Sequence, residues 1–432
     1  MRKRVFLSTV MVALILVTTF STTSLGGDTS GDYSSPSWSM YGRDPQHTSL
    51  ASFSIDGIDG AVETKISGYS LSGTPVIDGN GMIYVSSTYR GVYCFDPHGN
   101  VRWTFRTGES VRGTPAFSDE GTLYLATYSD FWAHEGSGNY LYSIDTDGYL
   151  NWKRPTGGGG SMFGPCVGEN GNIYLGTTNG DLLAFNDEGV LLWRFNAEDD
   201  VISTPAVDGN GSIYFSCYDG YLYCLSSDGQ LKWRFPIGGQ QYSSPSISDD
   251  GNIYFGSSNG KVYAIDPGGE EIWNYSTNGS IYRGLALGPD GSIYVQSGSK
   301  LQRIDVDGSL IWEVDGEYYS QFNQVPTVDL EGNVIIEVCL QTDQDRRYYL
   351  ECYDSDGVFR FSFRFDGDYY DKPFPASITD EGKILVVNDD QGLYIIGNDP
   401  NIDRYLTMAL EIVLIAVAVA AIAFIYRRGA RP

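Results

Sequence analysis

Hydrophobic and polar positions alternate in short runs along most of the chain, separated by breaks rich in Gly and Asp. Residues 204–235, TPAVDGNGSIYFSCYDGYLYCLSSDGQLKWRF, hold four such runs: one after the Pro, an Ile-Tyr-rich second, YLYC third and LKWRF fourth. Period-two alternation predicts half-buried β-strands, and breaks such as Asp219-Gly220 and Asn259-Gly260 predict tight hairpin turns. The pattern recurs from Thr74-Pro75, Thr114-Pro115, Gly164-Pro165, Thr204-Pro205, Ser244-Pro245, Gly284-Leu285, Val325-Pro326 and Pro375-Ala376. Trp103, Trp152, Trp193, Trp233, Trp273 and Trp312 keep step, at gaps of 49, 41, 40, 40 and 39 residues. Four short strands per repeat at a period near 40 predict an all-β fold, an eight-bladed β-propeller.

The eighth copy stops after its third strand, GLYIIG (392–397). Its fourth strand is expected from the other end of the repeat region, where IDGAVETKI (58–66) aligns with SDGQLKWRF and puts Thr64 at the tryptophan position. An N-terminal strand that completes the last blade closes the ring and removes its free edges. Phe361 replaces Trp in blade seven. The six Trp and Phe361 read as structural: large rings wedged between blades, each burying about 150–250 Å².

Composition supports the strands and adds a charge. Tyr (32 residues) and Gly (53) are abundant, as pleat fillers and turn formers. The formal net charge is −26. Setting aside Arg2, Lys3, Arg4, Arg427, Arg428, Arg431 and Glu411 leaves 22 basic against 53 acidic residues in the body. Such a surface repels nucleic acid, so no nucleic-acid partner is expected.

Both ends are apolar. Arg2-Lys3-Arg4, an apolar core and small polar residues read as a secretory signal over 1–26. Residues 405–426 are long enough to span a bilayer as one C-terminal transmembrane helix, and the arginines of 427–432 mark the cytoplasmic side. The expected organisation is signal peptide (1–26), lead-in (27–56), propeller (57–400), tether (401–404), membrane helix (405–426) and cytoplasmic basic tail (427–432). This places the propeller outside the cytoplasm of a single-pass cell-membrane protein.

The units resemble the pyrroloquinoline-quinone-type propeller repeat, whose mark is Ala-x-Asp, a Gly turn and a docking Trp; Ala264-Ile265-Asp266 to Trp273 is a close copy. The lead-in SWSMYGRDPQHTSL (37–50) resembles the segment that precedes this propeller in exported prokaryotic proteins. The resemblance implies the fold and leaves function open among quinone dehydrogenases, an outer-membrane assembly lipoprotein and surface proteins. The dehydrogenases hold their quinone between a stacking Trp and an adjacent-Cys disulfide, beside a Ca²⁺. This chain has no Cys-Cys pair, and Trp132 is its one propeller Trp outside the docking positions. No cofactor is therefore expected.

Other chemistry is equally thin. His47, His98 and His134 are the only histidines, with no nucleophile motif beside them and no zinc-ligand spacing. Asp145-Thr-Asp147-Gly148, Asp305-Val-Asp307-Gly308 and Asp354-Ser-Asp356-Gly357 look like calcium-loop fragments but recur where turns are required, so they read as turn formers and no metal site is expected. Cys94, Cys224 and Cys352 share one repeat position; Cys217 with Cys224, and Cys339 with Cys352, lie on facing strands and are candidate disulfides. Asn210, Asn274 and Asn278 open glycosylation sequons.

In an up-and-down blade the A–B and C–D turns share one face, and the B–C and D–A loops share the other. The turn face is short and acidic. The loop face is irregular and aromatic, with insertions at 128–139 and 341–347 under the two 49-residue spacings, 103 to 152 and 312 to 361. Tyr with Arg is the composition of contact surfaces, so Trp132, Tyr242, Tyr282, Arg283, Tyr318, Tyr319, Phe322, Tyr369 and Tyr370 are the expected binding residues. The expected function is non-enzymatic: a cell-surface binding or scaffold module whose outward aromatic face meets an extracellular protein or glycan. An assembly or secretion factor is the alternative, and a quinone-dependent dehydrogenase a third.

Overall fold

The structure, a computed structural model, describes residues 38–88, 91–128, 138–157, 159–238, 243–277, 279–316, 324–341, 346–365, 373–389 and 392–398. These residues build eight antiparallel sheets of four strands. Blade four shows the rule: strand A is Ala206–Val207, B Ile213–Ser216, C Tyr221–Leu225 and D Leu231–Pro236. Strand B is buried on both faces and carries Ile, Tyr and Phe, side chains that fill a pleat flanked by other blades. Strand D alternates between exposed and half-buried positions, as an outer edge strand should.

Blade eight closes as expected. Ala61–Ile66 pairs with Gly392–Gly397, and the sheet takes its other two strands from the chain's far end. The register is that of the other blades: Thr64 faces Ile395 as Trp193 faces Ala184 and Trp233 faces Cys224. A one-residue bulge precedes this position in all eight blades. It turns the ring toward the neighbouring blade.

The tryptophans interlock successive blades. The indole Nε1 of Trp103, Trp152, Trp193, Trp233, Trp273 and Trp312 donates to the carbonyl of Thr146, Asp187, Ser227, Pro267, Val306 and Ser355 at 2.7–3.0 Å, in each case in the C–D turn of the next blade. Each ring also covers the glycine of that turn. A Cβ on Gly229 would lie 2.6 Å from the Trp193 ring, and its φ of +83° itself favours glycine. The seam obeys the same geometry: Phe361 lies against Gly60 (φ +79°), where a Cβ would approach to 2.5 Å. Gly60 thus replaces the C–D turn glycine that blade eight lacks.

Two expectations are corrected. Cys339 faces Tyr348 while Cys352 faces Ile335, four positions away on the same pair of strands. Cys224 faces Tyr214, and Cys217 sits past the end of strand B with its amide bonded to the Tyr221 carbonyl. At about 3.3 Å per residue both separations exceed the roughly 7 Å that a disulfide tolerates between Cα atoms. All six cysteines are free and buried. The 341–347 insertion is also less of a loop than expected, because it lengthens the blade-seven hairpin to Val334–Gln341 and Arg346–Tyr353. The acidic pairs are turns: Asp145 Oδ1 accepts from the amides of Asp147 and Tyr149, and Asp354 Oδ1 from those of Asp356 and Val358. The signal and membrane-helix segments lie outside the described residues; among the described residues no helix is long and apolar enough to cross a membrane.

Candidate functional site

The lead-in occupies the centre of the ring. From Trp38 onward its carbonyls accept from the second strand-A residue of blade after blade: Ile77 bonds Trp38, Phe117 bonds Ser39, Val207 bonds Pro45, Ile247 bonds Gln46, Leu287 bonds Thr48 and Val328 bonds Ser49, at 2.8–2.9 Å. Blade three joins through the Cys166 thiol, 3.9 Å from the Pro45 carbonyl. Innermost strands have an unpaired edge on the axis, and this segment satisfies it. Following so tight a path puts three non-glycine residues in the left-handed region: Arg43 (φ 76°), His47 (φ 55°) and Ser49 (φ 52°). His47 is buried, with Nδ1 3.1 Å from the Pro245 carbonyl, and burial lowers its pKa to about 4.

On the loop face the plug leaves a funnel of about 430 Å³. Its floor is Tyr41, whose ring meets His47 edge-on at 5.4 Å and whose hydroxyl donates to the Arg283 carbonyl at 3.2 Å. Burial raises the Tyr41 phenol to about 12, so it remains a donor. The walls come from the D–A loops, three residues before the two-residue strand A (Ala206–Val207 in blade four): Gly73, Gly113, Phe163, Arg283, Gln324 and Phe374 line the funnel. The Arg283 guanidinium lies 5.2 Å over the Phe163 ring. Burial lowers its pKa, and among the described residues no carboxylate pairs with it. Gln324 Nε2 donates to the Pro373 carbonyl at 3.0 Å, which holds its amide at the rim. Arg112 and Asp389 also line the space, each already engaged with neighbours; Arg112 lies 5.2 Å over Tyr128.

A larger cavity, about 670 Å³, opens on the turn face between blades two and three. Its charged lining is Asp119, Glu120, Glu169 and Asp187, turn residues of the repeat, beside the docking ring of Trp152. The funnel is the better candidate because its lining departs from the repeat.

Of the nine expected binding residues the structure describes two. Arg283 lines the funnel, and Tyr282 is half-buried next to it with contacts of its own. Trp132, Tyr242, Tyr318, Tyr319, Phe322, Tyr369 and Tyr370 lie outside the described residues. Tyr69, another loop-face ring, packs edge-on against Tyr93 at 4.8 Å, so it serves packing rather than contact. Sequence reasoning passed over Tyr41, Gln324 and Phe374. The signal was available for the last two: with eight copies aligned, the position three before strand A reads Gly73, Gly113, Phe163, Ser203, Ser243, Arg283, Gln324 and Phe374. Nothing in the repeat points to Tyr41.

Comparison with known structures returns the same architecture. BamB from Moraxella catarrhalis aligns with a TM-score of 0.61 at 12% identity, over 78% of this chain and 99% of that one. A europium-containing methanol dehydrogenase aligns at 0.64 and 12%, over 81% and 88%. The quinohemoprotein alcohol dehydrogenase ADHIIG from Pseudomonas putida HK5 aligns at 0.63 and 14%, over 83% and 76%. At such identities the likeness concerns the fold. No curated protein matches the chain in sequence.

The funnel does not fit the quinone that the dehydrogenase branch implies. The chain has no adjacent cysteines, and the six it has are buried singly. Among the described lining residues there is no Trp to stack on the cofactor, and one carboxylate (Asp389) with one side-chain amide (Gln324) falls short of the six or more oxygens Ca²⁺ takes. The family model described as "Outer membrane protein assembly factor BamB" matches residues 38–163, 137–280 and 218–338. Covering well over half of the sequence with this match, the chain belongs to that family of pyrroloquinoline-quinone-type propellers.

Proposed function

We propose that the protein is a non-enzymatic binding or scaffolding module that engages a protein partner through its loop face. The observation that carries this reading is the ring of positions three before strand A. There the backbone repeats while the side chains change from Gly to Phe, Arg and Gln, and they surround a concave space floored by the lead-in. Variation confined to one face of a repeat scaffold is how such folds acquire a partner. The family description, an assembly factor, favours a protein over a glycan.

In this reading the face also has a direction. The chain leaves blade eight after Gly392–Gly397, on the turn side, and residues 398–404 reach roughly 25 Å before the apolar segment 405–426. With that segment in a membrane and the export signal over 1–26, the propeller stands outside the cytoplasm with its loop face outward.

The test is capture by the full-length protein of partners from the producing cell, with two sets of substitutions. Alanine at Tyr282, Arg283, Tyr318, Tyr319, Tyr369 and Tyr370 is expected to abolish capture. Asparagine or glutamine at the turn-face carboxylates Asp249, Asp250, Asp187 and Glu188 is expected to leave it intact. The reverse pattern would refute the reading.

A further inference from the structure

We propose that the loop-face funnel is a socket for a carboxylate carried on an apolar group, with Arg283 holding the carboxylate and Phe163, Met162 and Phe374 receiving the apolar part. The inference deepens the reading of the loop face as the binding face, and rests on it. Three observations converge.

The first is the unpaired cation. Arg194, Arg303 and Arg360 have carboxylates within 3.0 Å, and the half-buried Arg154 guanidinium is satisfied by the carbonyls of Gly189, Lys153 and Glu188. Arg283 has an aromatic face beneath it and no carboxylate among the described residues. In a body with 53 acidic residues, a half-buried guanidinium left without one marks a position kept open. Its carbonyl is fixed from two sides, by the Tyr41 hydroxyl at 3.2 Å and the Ser244 amide at 2.9 Å, so the residue is held at the rim of the cavity.

The second is an orphan hydroxyl. Thr74 lines the funnel at 1% exposure, and its Oγ1 has no partner. Two equivalent hydroxyls accept from the amide one blade back: Thr114 Oγ1 from the Thr74 amide and Ser244 Oγ from the Thr204 amide, both at 3.0 Å; Thr204 Oγ1, which does not line the funnel, shares the orphan state of Thr74. The residue one blade back from Thr74 is Pro375, which has no N–H. Of the two orphans, Thr74 is the one inside the cavity, where its hydroxyl offers a second polar anchor.

The third is shape. Phe163, Met162, Phe374 and Pro375 give the funnel apolar walls, and a guanidinium stacked on an aromatic ring is pre-organised for a planar carboxylate.

Two sources share this chemistry: the end or an acidic side chain of a partner polypeptide, and a free organic acid. The probe is N-acetyl-phenylalanine, with its neutral amide as control, titrated calorimetrically into the full-length protein. The acid is expected to bind at least about tenfold more tightly than the amide, a typical worth of a charge-assisted hydrogen bond. Arg283→Gln should erase that preference, and Arg283→Lys should restore part of it. Equal binding of acid and amide to the unsubstituted protein, or no binding of either, overturns the proposal whether or not the variants fold. If the acid displaces a captured partner, the socket reads a carboxylate of that partner; if it binds without displacing, the free acid is the ligand. Partner capture that persists while the acid preference is absent removes the socket and leaves the loop-face reading standing. Acid binding without any loop-face capture does the opposite.

Discussion

The two faces of the ring carry the same backbone and opposite side-chain logic. On the turn side one contact, a ring from strand D on the glycine and carbonyl of the next C–D turn, recurs in blade after blade. On the loop side the corresponding repeat position holds two glycines, two serines, two phenylalanines, an arginine and a glutamine. Where the side chain is constant it closes the structure, and where it varies over constant backbone it is free to meet something else. Even the two cavities follow the division, acidic on the turn face and holding an unpaired guanidinium on the loop face.

That division can be broken from several directions. Deleting residues 61–66 removes the strand that completes blade eight and should cost the cooperative fold altogether, seen as loss of near-ultraviolet circular dichroism and aggregation on gel filtration; a monomeric protein with a sharp thermal transition would contradict the closure. Trp193→Ala should destabilise by about 3 kcal/mol. Gly229→Val, on the other side of the same contact, should cost a similar amount. Because they damage one contact, the double variant should lose clearly less than the sum in chemical denaturation.

A buried acid supplies a pH test. Glu337, on strand B of blade seven, accepts from the Ala376 amide at 3.1 Å, and burial raises its pKa from 4.5 to about 8. Between these values the folded protein keeps the proton and the unfolded chain releases it. Its contribution is therefore complete below about pH 4.5 and is lost as pH rises through 8. Glu337→Gln should flatten the decline, gaining about 2 kcal/mol over the parent at pH 9 in denaturation midpoints. On the loop face, Arg283→Gln should change stability by less than about 0.5 kcal/mol. A loss there as large as that of Trp193→Ala would erase the distinction between the faces. Reductant should not move the thermal midpoint at all, since the six thiols are unpaired and burial pushes that of Cys224 up to about 12.

The fold was largely legible because its information is periodic. Eight repeat starts, all but one containing Pro, and a Trp ladder locate strands, turns and the seam, and even the substitute position Thr64 falls out of the alignment. The thiols misled because facing strands are readable from sequence and register is not: a slip of four positions separates Cys339 from Cys352 without disturbing the pattern. The funnel was half visible. Arg283 stood out as the arginine of an aromatic loop, but Tyr41 belongs to a non-repeating segment, and only three-dimensional placement shows that segment running down the axis. The same placement buries His47 on the axis, with its Nδ1 against the Pro245 carbonyl and its pKa lowered by burial to about 4.

The lead-in has a consequence for the order of assembly. It bonds to strand A of blades one, two, four, five, six and seven, yet it emerges from the ribosome before any of them. The strand that follows it must wait for a partner more than 300 residues downstream, an interval of tens of seconds at ordinary rates of synthesis. The thread is thus present before any blade it bonds to has been made, and the last strand of the ring closes it on one of the first.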